Sequence, residues 1–274
     1  MKISVIIENL KQAKDVMPYV DTYLLPIDDF SINYPNTFSL DDVNNIKKLG
    51  REIFVIVNKN IHNSELEHLK KLLLDIDKIN VNGIIYYDLA ILNLKNKLNI
   101  NTDLVWNQEH LTNNYGTINY YFDKGVKYTY LSSELNKNEI EDITKKSKAK
   151  LFLNVFGHIP MFTSRRHLVK NYLDYFDLED KQKNKTINKE GKTYPILDTK
   201  NGTTVYSNYI LNILDHKFNV DYYVFNSYLI KPNDFKEVLI NFKNNKETKF
   251  PFEYGFLYKE TIYKVKRKWR KLNY

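Results

Sequence analysis

The 274-residue sequence predicts an α/β protein: a (β/α)8 TIM-like barrel with an inserted loop and hairpin after the seventh strand. Three observations lead there. Short apolar, β-branched runs alternate with amphipathic helical patterns, about one unit per 20–30 residues. Seven or eight such units suit a closed barrel better than an open doubly wound sheet, which is the alternative. Almost every apolar run also ends in a polar or ionisable residue, and a barrel would gather all of these on its C-terminal rim.

The elements follow in order. Strand-like runs are ISVIIE (3–8), TYLLPID (22–28), EIFVIVN (52–58), VNGIIYYD (81–88), TDLVWNQ (102–108), KYTYLSSE (127–134) and AKLFLNVFG (149–157). An eighth, VDYYVFNS (220–227), precedes a helical pattern beginning KPNDFKEV. Between the earlier runs, residues 63–79 place Leu66, Leu69, Leu73 and Ile76 at helical spacing. Residues 135–148 put Ile140 and Ile143 on one face, with a helix start at Asn136. Strands alternating with helices imply right-handed crossovers and a parallel sheet.

The repeat breaks after 157. Residues 155–168, VFGHIPMFTSRRHL, gather glycine, proline, two histidines and two arginines, which reads as a metal site, an anion site or a turn. A charged loop (178–192) follows, then a β-hairpin (193–208) turning at Lys200-Asn201-Gly202, then YILNILDHKF as a helix. The expected organisation is one barrel domain over 1–263, with 158–219 inserted over the C-terminal rim and 264–274 as a basic tail.

Charge is uneven. Of 41 basic residues, six lie in the final KVKRKWRKLNY without an acidic partner, leaving 35 basic against 33 acidic elsewhere. Lys266, Arg267, Lys268, Trp269 and Arg270 are therefore the candidate nucleic-acid contacts, the cations for phosphates and the indole for a base. The absence of cysteine excludes disulfides, thiolate nucleophiles and cysteine-ligated zinc or iron–sulfur clusters. It fits a cytoplasmic protein, and no stretch approaches the ~18 apolar residues of a membrane span.

No phosphate-binding, dinucleotide, hydrolase-elbow or zincin signature is present. His62 and His68 fall on different faces of one helical pattern and make poor joint ligands. The rim set comprises Glu8, Asp28-Asp29, Asn58, Asp88, Gln108, Glu134, His158 and Asn226. From it come the candidate catalytic residues, Asp88, Glu134 and Gln108, the carboxylates serving acid/base work. Asn58, His158, Arg166 and Asp198 are the candidate substrate-binding residues, and no metal ligands are assigned. Asp, Asn or Ser at a strand end also caps the following helix, which competes with this reading at every position.

Read in order, YLLPIDDFS, FVIVNKNIHNSELEHL, VNGIIYYDLAIL, NQEHLTNN, FDKGVKYTYLSSELNKNEIEDI, FGHIPMFTSRRHL, YPILDTKNGTTVYSN and GFLYKETIYKVKR resemble the collagenase-like peptidase family U32 along nearly the whole chain. That resemblance implies a role in oxygen-independent hydroxylation, the activity of most characterised members, rather than the proteolysis of the family name. Many members hold a four-iron cluster on four cysteines. On this sequence Gly157, Ser164 and Arg166 match the family loop, while Pro160 and His167 stand where two cysteines would be. The other two belong to a segment replaced here by 178–192, and Ser133 stands where arginine is frequent before the glutamate. The match makes Arg166 the anion-binding candidate, since a guanidinium fork suits carboxylate or phosphate.

Short, cysteine-poor members resemble this chain most and pair with a longer, cluster-bearing relative in forming 5-hydroxyuridine at the tRNA wobble position. The expectation is thus a tRNA modification protein with tRNA and that relative as partners. No cofactor is expected on cysteine ligands, and a small organic hydroxyl donor is allowed for. The alternatives are a collagenase-like peptidase, with Ser132, Ser133 or Ser164 as nucleophile, and a non-catalytic scaffold for the cluster-bearing partner.

Overall fold

The computed structural model describes residues 1–109, 112–180 and 185–260. In chain order they form β1 (Lys2–Ile6), α1 (Leu10–Val16), β2 (Thr22–Pro26), α2 (Leu40–Lys47), β3 (Glu52–Val57), α3 (Leu66–Ile79), β4 (Gly83–Tyr86) and α4 (Leu89–Leu98). Then come β5 (Asp103–Trp106), α5 (Tyr115–Asp123), β6 (Tyr128–Tyr130), α6 (Lys137–Lys146) and β7 (Lys150–Gly157). β8 (Pro160–Ser164), α7 (Leu168–Tyr175), β9 (Lys185–Lys189), β10 (Lys192–Thr199), β11 (Gly202–Tyr206) and β12 (Leu211–Asn212) precede β13 (Tyr222–Asn226) and α8 (Pro232–Lys243).

Strands β1 to β7 pair in parallel with their neighbours, and β13 lies between β7 and β1, closing an eight-stranded parallel barrel. β2 is buried throughout and β3 nearly so, as expected of parallel strands covered on both faces. Alternate residues point inward: Ile6, Leu24, Phe54, Ile56, Ile85, Val105, Tyr130, Phe152, Tyr222 and Val224 fill the barrel. Phe152 stacks on Tyr222 at 4.1 Å and meets Phe54 edge-on at 5.2 Å. Gly83 makes room for this aromatic layer, because a Cβ there would sit 2.8 Å from the Phe54 ring. Burying one such ring contributes roughly 2–3 kcal/mol. The helices pack outside through a second, larger cluster that includes Leu69, Leu73, Ile76, Ile140 and Ile143. Asn136 caps α6 through a reciprocal box with Glu139, at the position its sequence indicates.

Three segments differ from the sequence reading. Pro160–Ser164, expected within a loop, is β8, paired antiparallel with β11. Lys185–Lys189, expected within a charged loop, is β9, where Ile187 lies across from Tyr194 on β10. Residues 209–218 are not a helix. Leu211–Asn212 pairs antiparallel with Phe156–Gly157, and the buried Asn212 side chain donates to the carbonyls of Phe250 (2.9 Å) and Pro251. That side-chain anchor holds the backbone extended against its helical propensity. The hairpin does turn at Lys200–Asn201, between β10 and β11.

The four-stranded sheet β8-β11-β10-β9 touches the C-terminal side of the barrel at the loops after β2 and β3. Asn201 donates to the Ser31 carbonyl (2.9 Å), Lys200 pairs with Asp29 (2.7 Å), and Arg165 donates to the Asn60 carbonyl (2.6 Å). Among the described residues its other face carries exposed apolar side chains. No residue of α7 is buried, and Phe162, Leu168, Tyr172, Leu178 and Ile187 are exposed along a groove of about 1130 Å³. Among the described residues no helix is long and apolar enough to cross a membrane.

Candidate functional site

A pocket opens at the C-terminal mouth of the barrel, a cavity of about 60 Å³ directly above the aromatic layer. Strand ends and their loops bring its walls together: Ile6 from β1, Tyr34 after β2, Asn107 and Glu109 after β5, Leu131 to Glu134 after β6, Asn154 on β7, His158 to Met161, and Asn226 on β13. Phe256, from the segment after α8, completes it. The groove beside α7 is larger, but its lining is mainly apolar and its polar groups do not converge. The mouth combines apolar walls with converging polar groups, which is the mark of a ligand site.

Inside, polar side chains form two networks. Tyr130 OH donates to Asn154 Oδ1 (2.6 Å), and Asn154 Nδ2 donates to Ser133 Oγ (2.9 Å). On the other side Asn33 is a buried hub. Its Nδ2 donates to Glu109 Oε1 (3.0 Å), and its Oδ1 accepts from Thr163 and Thr204 (2.7 Å each). Its carbonyl accepts from Tyr206 OH. The inserted sheet thereby steadies Glu109, the carboxylate nearest the mouth tyrosines. Burial raises the Tyr34 hydroxyl well above the usual phenol range, and Glu109 raises it further. Burial raises Tyr130 too, with Tyr34 and Glu109 adding to it. Both phenols stay protonated at any physiological pH.

His158 shapes one wall, with Nδ1 3.0 Å from the Ser207 carbonyl. Burial pushes its imidazole below the usual 6.5, outweighing the raising effect of its hydrogen bonds to the Ser207 and Tyr209 carbonyls. The unfolded chain takes up a proton near pH 6.5 while the folded one resists, so stability is full above that pH and falls below it. His158→Gln is expected to flatten this dependence when denaturant unfolding is compared at about pH 7.5 and 5.5. An unchanged slope would count against a buried, neutral His158.

A family model described as peptidase family U32 matches residues 21–221, from β2 to the edge of β13. The chain belongs to peptidase family U32. Among curated proteins, this U32 chain is similar to tRNA hydroxylation protein P2 of Bacillus subtilis (strain 168). They are 27% identical over 217 residues, 73% of this chain and 70% of that protein. A solved U32 peptidase shares the fold, with a TM-score of 0.54 and 11% identity over 82% of this chain and 92% of its own.

The four-cysteine cluster carried by many U32 members does not fit these residues. The chain has no cysteine, and among the described residues no group of three or more His, Asp or Glu is placed to hold a metal. His167 lies 3.6 Å from Asp198 on the inserted sheet, and His158 faces backbone carbonyls.

Of the residues singled out from sequence, Glu134 and His158 line the pocket. Asp88, Asn58 and Asp198 serve the framework around it. Asp88 caps α4 at Ala90 N (2.9 Å) and spends its other oxygen on Ile61 N (2.9 Å). Buried Asn58 ties down the loop after β2, accepting from Ile32 N (3.0 Å) and donating to its carbonyl (3.3 Å). Asp198 accepts from Thr203 Oγ1 (2.8 Å) and Lys170 N (3.2 Å), within the inserted sheet. Gln108 is half-buried beside the pocket without lining it. Arg166, two residues past the end of β8, is exposed, and its neighbour Arg165 is the arginine engaged at the rim, reaching Asn60 and Glu65. His62 caps the 3-10 turn Asn63–Glu65 that precedes α3, rather than sharing a helix with His68. Lys266, Arg267, Lys268, Trp269 and Arg270 lie outside the described residues.

Sequence reasoning passed over Asn33, Tyr34, Asn107, Glu109, Tyr130 and Asn154. One signal was present: Asn154 is a lone polar residue inside an apolar strand, at an inward position. No serine hydroxyl among the described residues is hydrogen-bonded to a histidine. Ser132 accepts from Glu134 N, Ser133 from Asn154, and Ser164 from Arg166 N. Among the described residues a peptidase nucleophile of the Ser–His type therefore has no base.

Proposed function

We propose that this chain is a tRNA modification protein that contributes to oxygen-independent hydroxylation of the wobble uridine, forming 5-hydroxyuridine with a longer, cluster-bearing relative. The observation that carries the reading is the similarity to tRNA hydroxylation protein P2 over most of both chains. The mouth pocket supports an active role over a pure scaffold, because a scaffold has no use for Glu109, Glu134, Asn154 and the two tyrosines converging above the barrel core. Redox chemistry is assigned to the partner, since no cysteine is available here. The bare apolar face of α7 and β9 supports a protein partner, and the tail residues 264–274 would hold RNA phosphates.

The test is a deletion strain whose bulk tRNA nucleosides are measured by mass spectrometry. Loss of hydroxylated wobble uridine is expected, with rescue by the wild-type gene and not by Asn154→Ala. Tagged wild-type chain, purified from the same cells, is expected to bring down the cluster-bearing relative. An unchanged nucleoside profile in the deletion strain would sink the reading.

A further inference from the structure

We propose that Asp215 and His216 are positioning residues for the barrel mouth, a clasp on the C-terminal segment 250–259 that holds Phe256 in place as a wall of the pocket. For the reaction served, the inference rests on the tRNA reading. For the shape of the mouth it rests on the contacts alone.

Phe256 has no barrel strand of its own to place it, since it reaches the pocket from the segment after α8. Backbone bonds fasten that segment at two points. Glu253 and Asn212 exchange hydrogen bonds (3.1 and 2.9 Å), and the Leu257 carbonyl accepts from Lys137 N at the start of α6 (2.9 Å). Lys259 stands over the Phe256 ring at 5.0 Å, so the same segment brings an ammonium to that wall.

The tyrosines on either side of Phe256 share one anchor. Tyr254 OH donates to Asp215 Oδ2 (2.8 Å), and Tyr258 OH meets His216 Nε2. Asp215 Oδ1 and His216 Nδ1 lie 2.8 Å apart, which joins the two contacts into one chain. An imidazole that donates from Nδ1 and accepts the phenol proton at Nε2 satisfies both partners. The three rings also meet edge to face, His216 at 5.5 Å from Tyr254 and 5.7 Å from Tyr258, the tyrosines at 5.2 Å from each other. Tyr258 is 62% exposed, so burial does not account for its place against His216, whereas the hydrogen bond does. Neither Asp215 nor His216 lines the pocket, and both act on it through Phe256.

The experiment follows backbone amides of the purified full chain by NMR and scores wobble hydroxylation in the complemented deletion strain. Leu257 N donates to the Tyr254 carbonyl and reports the turn that carries Phe256, while Asn154 reports the pocket. Tyr258→Phe, which removes only an exposed hydroxyl, is expected to quicken hydrogen exchange at Leu257 about fivefold, shift the Asn154 amide signal and lower hydroxylated uridine. His216→Phe, which keeps a ring, is expected to do the same. Asp215→Asn is expected to keep the slow exchange that Asp215→Ala loses, because an amide meets the same two partners once the imidazole changes tautomer. Phe256→Ala is the deciding background. There Tyr258→Phe should still quicken exchange at Leu257, yet add no further shift at Asn154 and no further loss of hydroxylated uridine. A pair that only stabilised the fold would add its effect in both backgrounds. Such additivity would overturn the proposal, as would an Asn154 signal and Leu257 exchange untouched by Tyr258→Phe and His216→Phe. A normal nucleoside profile in the deletion strain would remove the tRNA reading and leave the clasp to be decided by the amide signals.

Discussion

Gly157→Ala is expected to lower the thermal unfolding midpoint by about 10 °C, which for a chain of this size corresponds to about 3–5 kcal/mol. Gly157 ends β7 with φ +118, a backbone region that a side chain strains by about 1–3 kcal/mol. A Cβ there would also lie 2.5 Å from the Asn226 carbonyl oxygen and 2.8 Å from its Cβ. Asn226 is the last residue of β13, which pairs with β7 up to Phe225↔Phe156, so the methyl meets strand backbone and has no soft neighbour to displace. Either the strand pair opens, or the turn carrying His158 to Met161 swings and the mouth loses a wall. A variant whose midpoint stays within about 2 °C of wild type would show that the strand end tolerates a side chain, contrary to this geometry.

Asn33→Ala is the second large effect expected, about 3 kcal/mol, because the buried amide joins three elements at once. Thr163 and Thr204 lose their acceptor, and Glu109 loses its donor. Asn33 also sits at φ +70, which asparagine tolerates better than alanine. Amide hydrogen exchange should quicken along β8 and β11, reporting a loosened inserted sheet. Asn33→Asp separates the two roles. It keeps acceptors for both threonines but faces Glu109 with like charge, so the sheet should stay protected while amide signals at the mouth, at Asn107 and Asn154, shift. Unchanged exchange and stability in Asn33→Ala would rule out the hub.

The barrel was legible because burial imposes a pattern that a single sequence displays. Runs such as IFVIV in β3 and GIIY in β4 are apolar throughout, as strands covered on both faces must be. Their polar ends read equally as caps or as site residues, and the structure divides them. Asp88 and Asn58 hold backbone, while Glu134 and His158 reach the pocket. Only the three-dimensional partner decides between the two. Glu109 lay one residue beyond the strand end and was overlooked for that reason. The inserted sheet was only partly legible: its hairpin turn is local, whereas β8 owes its strand form to β11, with Thr163 paired to Thr204 far along the chain. For 209–218 the local helical pattern lost to the Asn212 side chain, whose anchor lies beyond residue 248.

The stacked rings of Phe152 and Tyr222, with Phe54 against them, have a kinetic consequence. They stop the barrel below the pocket, so the cavity is a cul-de-sac rather than a passage. Whatever enters must turn round and leave by the same door. A second small molecule could not arrive from beneath one already seated, so any two that share the mouth must come in together from above, or the deeper one first.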